Sequence, residues 1–140
     1  MSVKENKELV SRYLSADANE VRKDKATGKD EYHSPEFKLH SAMGDMTLKE
    51  YLQLMDTLVS AFPDCKYTVD DIIAEGDKVV GRYHFTGTHK GAYQGIPPTG
   101  KKVKTEGIGI FKIGGGKLVE AWFAADTMVM MQQLGVIPKQ

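Results

Sequence analysis

The sequence predicts an α+β fold: helices first, then a curved, mainly antiparallel sheet wrapped around them, with an internal pocket. Two observations carry this. In the first half of the chain, apolar residues recur at steps of three and four, the period of a helix with one buried face. In the second half the period falls to two, β-branched and aromatic residues gather, and the runs are joined by glycine-containing turns. Such turns are too short for a parallel return, which takes about a dozen residues.

The first helix is expected from Val3 to about Val21, where Leu9, Val10, Tyr13, Leu14, Ala18 and Val21 make one stripe. The charged stretch Val21 to Glu31, around Thr27-Gly28, reads as a linker. A second helix begins after Thr47, an N-cap with Glu50 placed for a capping box. Its stripe is Leu48, Tyr51, Leu52, Met55, Leu58, Val59 and Phe62, and Pro63 stops it.

Four strands are expected over Lys66–Ala74, Lys78–Thr88, Lys102–Lys112 and Lys117–Asp126. Glu75-Gly76-Asp77 and Gly114-Gly115-Gly116 are turn signals. Met128 to Leu134 reads as a short terminal helix closed by Gly135 and Pro138. Gly81, Gly87, Gly107 and Gly109 fit the bends and bulges of a strongly curved sheet. A long twisted sheet over helices makes a cone, and the cavity inside it is the natural place for a small molecule.

Composition narrows the function. The chain of 140 residues suits one domain, 1–140. Lys and Arg number 19, as do Asp and Glu, so the formal charge is zero. This removes the usual electrostatic case for nucleic acid or an anionic membrane. Lys101, Lys102 and Lys104 are too few and too local to make a basic stripe. Cys65 is the single cysteine, which excludes an intrachain disulfide and a Cys-based zinc site. The N-terminus is charged where a secretory signal would be apolar. The apolar run Ala121–Ala125 falls far short of the ~20 residues of a membrane helix. A cytoplasmic protein is the default expectation.

Gly95 to Lys102 nearly matches a phosphate-binding loop. However, Lys102 stands where Ser or Thr should hold magnesium, and Pro97 and Pro98 lack N–H donors. A rigid loop between strands is the better reading. His84 and His89 lie an odd number of residues apart, which sets them on opposite faces of a regular strand. None of the histidine spacings suits a metal site, and His89 is expected at a rim or loop.

The strand Leu118–Asp126 is more informative. Leu118, Glu120, Trp122, Ala124 and Asp126 share one face; Val119, Ala121, Phe123 and Ala125 share the other, wholly apolar face. A carboxylate in an apolar cavity has its pKa raised by desolvation, which suits general acid/base work near neutral pH. Asp126 is also placed to cap the following helix, and the two roles are compatible. In Lys78–Thr88, Arg82 and His84 share a face that either lines the cavity or meets solvent.

Taken in order, Ala61-Phe-Pro-Asp64, Gly87-Thr-His-Lys-Gly91, Gly95-Ile-Pro-Pro-Thr-Gly-Lys101, Gly116-Lys-Leu-Val-Glu-Ala-Trp122, Asp126 and Gln133-Leu-Gly135 resemble the SnoaL-like polyketide cyclase (ester cyclase) family. This family is a branch of the nuclear-transport-factor-like superfamily, and the resemblance runs from His40 to Gly135.

The resemblance implies a cone-shaped α+β barrel, often a homodimer, acting on a hydrophobic or carbonyl-bearing small molecule without metal or organic cofactor. The reaction class it implies is an intramolecular aldol cyclisation, an isomerisation or a related lyase step. Through the motif Glu-x-Trp-x-x-x-Asp, it implies Asp126 as general acid/base. His40, Arg82, His84 and Trp122 are the candidate substrate-binding residues. The chain departs from its relatives at Phe123, where an acidic or polar residue is common, and Ala124 and Ala125 are small and apolar. The alternative is a ligand-binding or dimer-scaffold protein of the same fold without catalysis.

Overall fold

The computed structural model describes residues 2–15 and 32–138. The elements are α1 (Val3–Ser15), β1 (His33–Ser41), β2 (Gly44–Thr47), α2 (Leu48–Ala61), β3 (Lys66–Glu75), β4 (Lys78–Thr88), β5 (Lys102–Gly114), β6 (Lys117–Ala125) and α3 (Thr127–Leu134). The expected continuation of the first helix beyond Ser15, and the expected linker, lie outside the described residues.

The strands form one six-stranded sheet in the order β2-β1-β6-β5-β4-β3. It is curved and mostly antiparallel, but it is not closed into a complete barrel. β3 to β6 form the expected antiparallel run; the two predicted turns join β3 to β4 and β5 to β6, and a longer loop over 89–101 joins β4 to β5. The sequence reading missed β1 and β2, and with them a parallel pair: β1 runs alongside β6, Leu39 opposite Ala121 and His40 opposite Trp122. The reason is local. β1 has only two inward apolar residues, Phe37 and Leu39. Pro35, which cannot donate to a ladder, falls within its register break between His33 and Lys38.

α2 begins as its sequence predicts. Thr47 accepts from the Glu50 amide while the Glu50 carboxylate accepts from the Thr47 amide, completing the capping box. The helix ends at Phe62, just before Pro63.

The inner face of the sheet packs on the helices in two apolar clusters. One joins Leu9, Val10 and Leu14 of α1 to Phe37, Leu39, Val79, Phe111 and Leu118 of the sheet. The other joins Ala61 and Phe62 to Phe85, Val103, Met130 and Leu134. Burying each large side chain contributes about 1.5–3 kcal/mol.

Glycines serve this packing differently from the expectation. Gly81, Gly107 and Gly109 are not at the register breaks of the sheet. They sit at inward positions where a Cβ would meet Leu14, Tyr83, or Phe111 and Phe123, respectively, at 2.7–3.0 Å. Missing side chains there leave room for rings to lie flat against the strands. No helix among the described residues is long and apolar enough to cross a membrane.

Candidate functional site

A cavity of about 440 Å³ opens between the inner face of the sheet and the helices. Its walls are mainly aliphatic and aromatic: Leu39, Leu52, Met55, Leu58, Phe123 and Ala125 are among them. The end of β1 contributes Ser41, and the turn after it Ala42 and Met43, at one side.

The polar groups of the lining are mostly phenols. Tyr13 comes from α1, Tyr51 from α2, Tyr67 from β3, Tyr83 from β4 and Tyr93 from the loop before β5. Ser41 and Thr127 add hydroxyls, and none of the described lining residues carries a charged side chain. Burial pushes Tyr51, Tyr67 and Tyr83 above the usual phenol range, Tyr67 well above it. Neighbouring phenols push Tyr67 and Tyr83 in the same direction, whereas the Tyr13 hydroxyl opposes the shift at Tyr51. All three therefore stay neutral O–H groups near pH 7, able to donate to an acceptor oxygen.

β4 and β6 reach this wall by alternation. The residues facing in from β4 are Val79, Gly81, Tyr83 and Phe85, so Arg82 and His84 face out. There Arg82 pairs with Asp71 at 2.6 Å and His84 Nδ1 meets Asp70 at 3.0 Å. On β6, Ala121 is fully buried, and Phe123 and Ala125 line the cavity. Trp122 faces the other way. The His40 ring stacks on it at 5.4 Å, and Lys78 Nζ lies 5.8 Å from its centroid. His40 Nδ1 meets Asp45 at 2.8 Å and Nε2 meets Glu120 at 2.6 Å. These carboxylates hold its pKa above the usual histidine value.

The sequence-predicted substrate-binding residues thus fall into two groups, His40 with Trp122 and Arg82 with His84, both on the outer face. This corrects the placement of Arg82, His84, His40 and Trp122 as pocket groups. The physical reason is that the apolar face of each strand turns inward, and the cavity is bounded by that same face.

Asp126 stands at the junction. It is exposed, and its carboxylate accepts from the Val129 amide at 3.2 Å as the N-cap of α3. The residues on either side of it, Ala125 and Thr127, both line the cavity. Asp126 itself is not among the lining residues.

His89 lies in the loop that follows β4, as expected, but it is wholly buried there and not at a rim. Its Nδ1 accepts from the Thr99 amide at 3.2 Å, and its ring stacks on Phe62 at 5.4 Å. It fastens the loop that carries Gly95 to Lys101, which connects β4 to β5. No group of three or more His, Cys, Asp or Glu among the described residues is arranged to hold a metal.

The residues the sequence reading missed as pocket groups are the tyrosines. Tyr13 and Tyr51 belong to the helix stripes that the sequence predicts. Several phenols at inward positions were the available signal, since each brings a hydroxyl that needs a partner.

Comparison with known proteins agrees with this architecture. The family model for SnoaL-like polyketide cyclase matches residues 12–134. Among solved structures, AclR from Streptomyces galilaeus, provisionally called a hydroxylase, superposes with a TM-score of 0.83 at 27% identity, covering 99% of this chain and 86% of that one. TsrD from Streptomyces laurentii gives 0.82 at 24% identity, covering 98% and 99%. A SnoaL-like polyketide cyclase from Agrobacterium tumefaciens strain C58 gives 0.74 at 16% identity, covering 96% and 100%. At those two lower identities the likeness concerns the fold alone. No match was found among curated proteins. With its helices, its open curved sheet and a family match across most of its length, the chain belongs to the SnoaL-like polyketide cyclases.

Proposed function

We propose that the protein binds a hydrophobic, carbonyl-bearing small molecule in the inner cavity and catalyses proton transfer next to that carbonyl, as a cyclase or isomerase does. The observation that carries this reading is a tyrosine-lined apolar cavity with a carboxylate, Asp126, set between two of its lining residues. The volume of about 440 Å³ is within the range that holds a drug-sized ligand.

In this reading the Asp126 carboxylate removes a proton from the carbon beside the carbonyl. The electron pair moves onto the carbonyl oxygen, and neutral phenols donate hydrogen bonds to the resulting enolate. In a cyclisation the enolate carbon then bonds to a second carbonyl carbon of the same molecule, whose π pair moves onto its oxygen, and that oxygen takes the proton back from Asp126. In an isomerisation a different carbon takes back the proton. Phenols suit this work because burial keeps them protonated.

The capping bond to Val129 favours a second reading, in which Asp126 is structural and the cavity only binds. Asparagine separates the two, because it caps a helix about as well as aspartate but is no base. The test follows loss of the α-proton signals of 2-tetralone in D2O by NMR. Wild type should accelerate exchange, and Asp126→Asn should remove ~100-fold or more of that acceleration while melting at the wild-type temperature. Equal exchange by both proteins rejects Asp126 as the base. Binding of 2-tetralone with no acceleration by wild type establishes the binding-only reading.

A further inference from the structure

One phenol of the cavity wall is held with its hydroxyl uncommitted. Tyr83 faces inward from β4 and is only 6% exposed, yet among the described residues its hydroxyl has no hydrogen-bond partner. The Tyr13 and Tyr51 hydroxyls differ, because they lie 3.1 Å apart and bond to each other. Buried hydroxyls nearly all have a partner. One that borders a cavity and finds none in the protein is set to bond what the cavity holds.

The place of that hydroxyl is fixed from three sides. Its ring packs on Tyr67 at 5.5 Å and on Phe123 at 6.3 Å. Beneath it is Gly107, directly opposite in the β4–β5 ladder. A Cβ at position 107 would stand 2.7 Å from Tyr83 Oη, so the missing side chain is what lets the hydroxyl lie against β5. That spot is beside the end of β6. Gly107 pairs with Ala125, a lining residue, and the Asp126 amide donates to the Glu106 carbonyl at 3.1 Å. Neighbouring strands are about 5 Å apart, so one strand spacing separates Gly107, and the phenol over it, from the chain at Ala125. Tyr67 stands farther out, on the edge strand β3, and Tyr93 packs on Phe62 at 5.5 Å.

We propose that the Tyr83 O–H is the group that binds the carbonyl oxygen of the ligand, and that Gly107 sets where that oxygen sits. This rests on the reading that the cavity takes a carbonyl-bearing molecule. It goes beyond it by selecting one of five lining phenols and by orienting the ligand, with the carbonyl oxygen against β5 and the carbon beside it toward the end of β6. No bond breaks in this step: the phenol keeps its proton and donates a hydrogen bond. The walls around it are apolar, so the oxygen has little else to bond, and the donor discriminates against a ligand that lacks it.

The test uses a matched pair of probes, 2-acetylnaphthalene and 2-ethylnaphthalene, which are alike but for a carbonyl in place of a methylene. Titration gives the affinity ratio, and isotope-edited infrared difference spectra give the carbonyl stretch of the bound ketone. Wild type should prefer the ketone by about tenfold, the effect of one good hydrogen bond. Tyr83→Phe removes a single oxygen that no described protein group bonds. It should bring the ratio to parity or below and raise the stretch frequency, with the melting temperature and the 2-ethylnaphthalene affinity unmoved. Tyr51→Phe and Tyr67→Phe should keep most of the preference. Nuclear Overhauser contacts should join the acetyl methyl of the bound ketone to the Ala125 methyl.

An unchanged ratio and stretch in Tyr83→Phe overturns the proposal and leaves the cavity reading standing. So does loss of the preference in Tyr67→Phe or Tyr51→Phe instead, or an acetyl group that contacts Tyr93 and not Ala125. Equal affinity of wild type for both probes also overturns it. A merely structural Tyr83 would lower both affinities together in Tyr83→Phe, which rejects the donor role. Binding of neither probe to wild type overturns the cavity reading and this inference with it.

Discussion

Adding one methyl group behind the cavity wall should close the site without dismantling the fold. Gly107 lies directly opposite Tyr83 in the β4–β5 ladder. A Cβ at position 107 would stand 2.7 Å from both Cζ and Oη of Tyr83. That falls about 0.7 Å short of the 3.4 Å at which ordinary contact begins, so the ring must retreat. Tyr67 at 5.5 Å and Phe123 at 6.3 Å hold its flanks, and the cavity is its open side.

Because the ring can yield, Gly107→Ala should cost about 1–2 kcal/mol, the lower part of the overpacking range. That corresponds to a fall in Tm of about 3–6 °C for a domain of this size. The displaced phenol then occupies ligand space, and affinity for 2-acetylnaphthalene should drop about tenfold or more. Gly109→Ala is the contrast. Its Cβ would press on Phe111 at 2.8 Å and on Phe123 at 3.0 Å, and Phe111 is fully buried with little room to give. It should lose more stability than Gly107→Ala. Calorimetric melts and a ligand titration measure both effects. Full ligand affinity in a folded Gly107→Ala protein would refute the reasoning, because Tyr83 would then not bound the binding space.

Three further predictions concern the frame around the site. Thr47→Ala removes the cap of α2, which carries Tyr51, and should cost about 1 kcal/mol by denaturant unfolding. His40 has a raised pKa because Asp45 and Glu120 bond its ring, so its stabilising effect is complete below the unfolded value of ~6.5 and fades as pH rises through the folded value. The Tm gap between wild type and His40→Gln should therefore shrink from pH 6 toward pH 9; a gap that widens would contradict this. Asp64 is held below the usual carboxylate range because the side chain and then the amide of Thr88 donate to it. Its contribution, present above pH ~4, should disappear as pH falls through that lowered value, so wild type and Asp64→Ala should converge in acid melts.

How much of this the sequence disclosed depended on the strength of each local signal. Thr47 with Glu50, and Pro63 after the stripe, left one solution for α2, and the structure has it. The turns at Gly76 and Gly115 need a positive φ that glycine adopts without strain, so the hairpins were legible as well. β1 was not, because a proline and two inward residues are a weak pattern.

The candidate site was less legible than the fold. Alternation gave the two faces of β4 correctly; in β6 the register break opposite Lys112 and Ile113 turns Leu118 into the inner core beside Ala121, against the face predicted for it, and neither pattern could say which face bounds a cavity. The polar face of β6, with Glu120 and Trp122, looked like chemistry; it is an outer surface tied together by His40, Asp45 and Lys78. Phe123 is part of the cavity wall. The tyrosines escaped notice because a phenol at a core position reads as an ordinary large apolar residue until its neighbours are known.

The central claim is that ligand enters the inner face of the sheet, and one NMR titration tests it most directly. Side-chain signals of Tyr51, Tyr83, Phe123 and Ala125 are compared with those of His40, Arg82, His84 and Trp122 as 2-acetylnaphthalene is added. The account predicts saturable shifts in the first group and none beyond small indirect changes in the second. Saturable shifts centred on Trp122 and His40, with Tyr51 and Phe123 unmoved, would place the site on the outer face and contradict it.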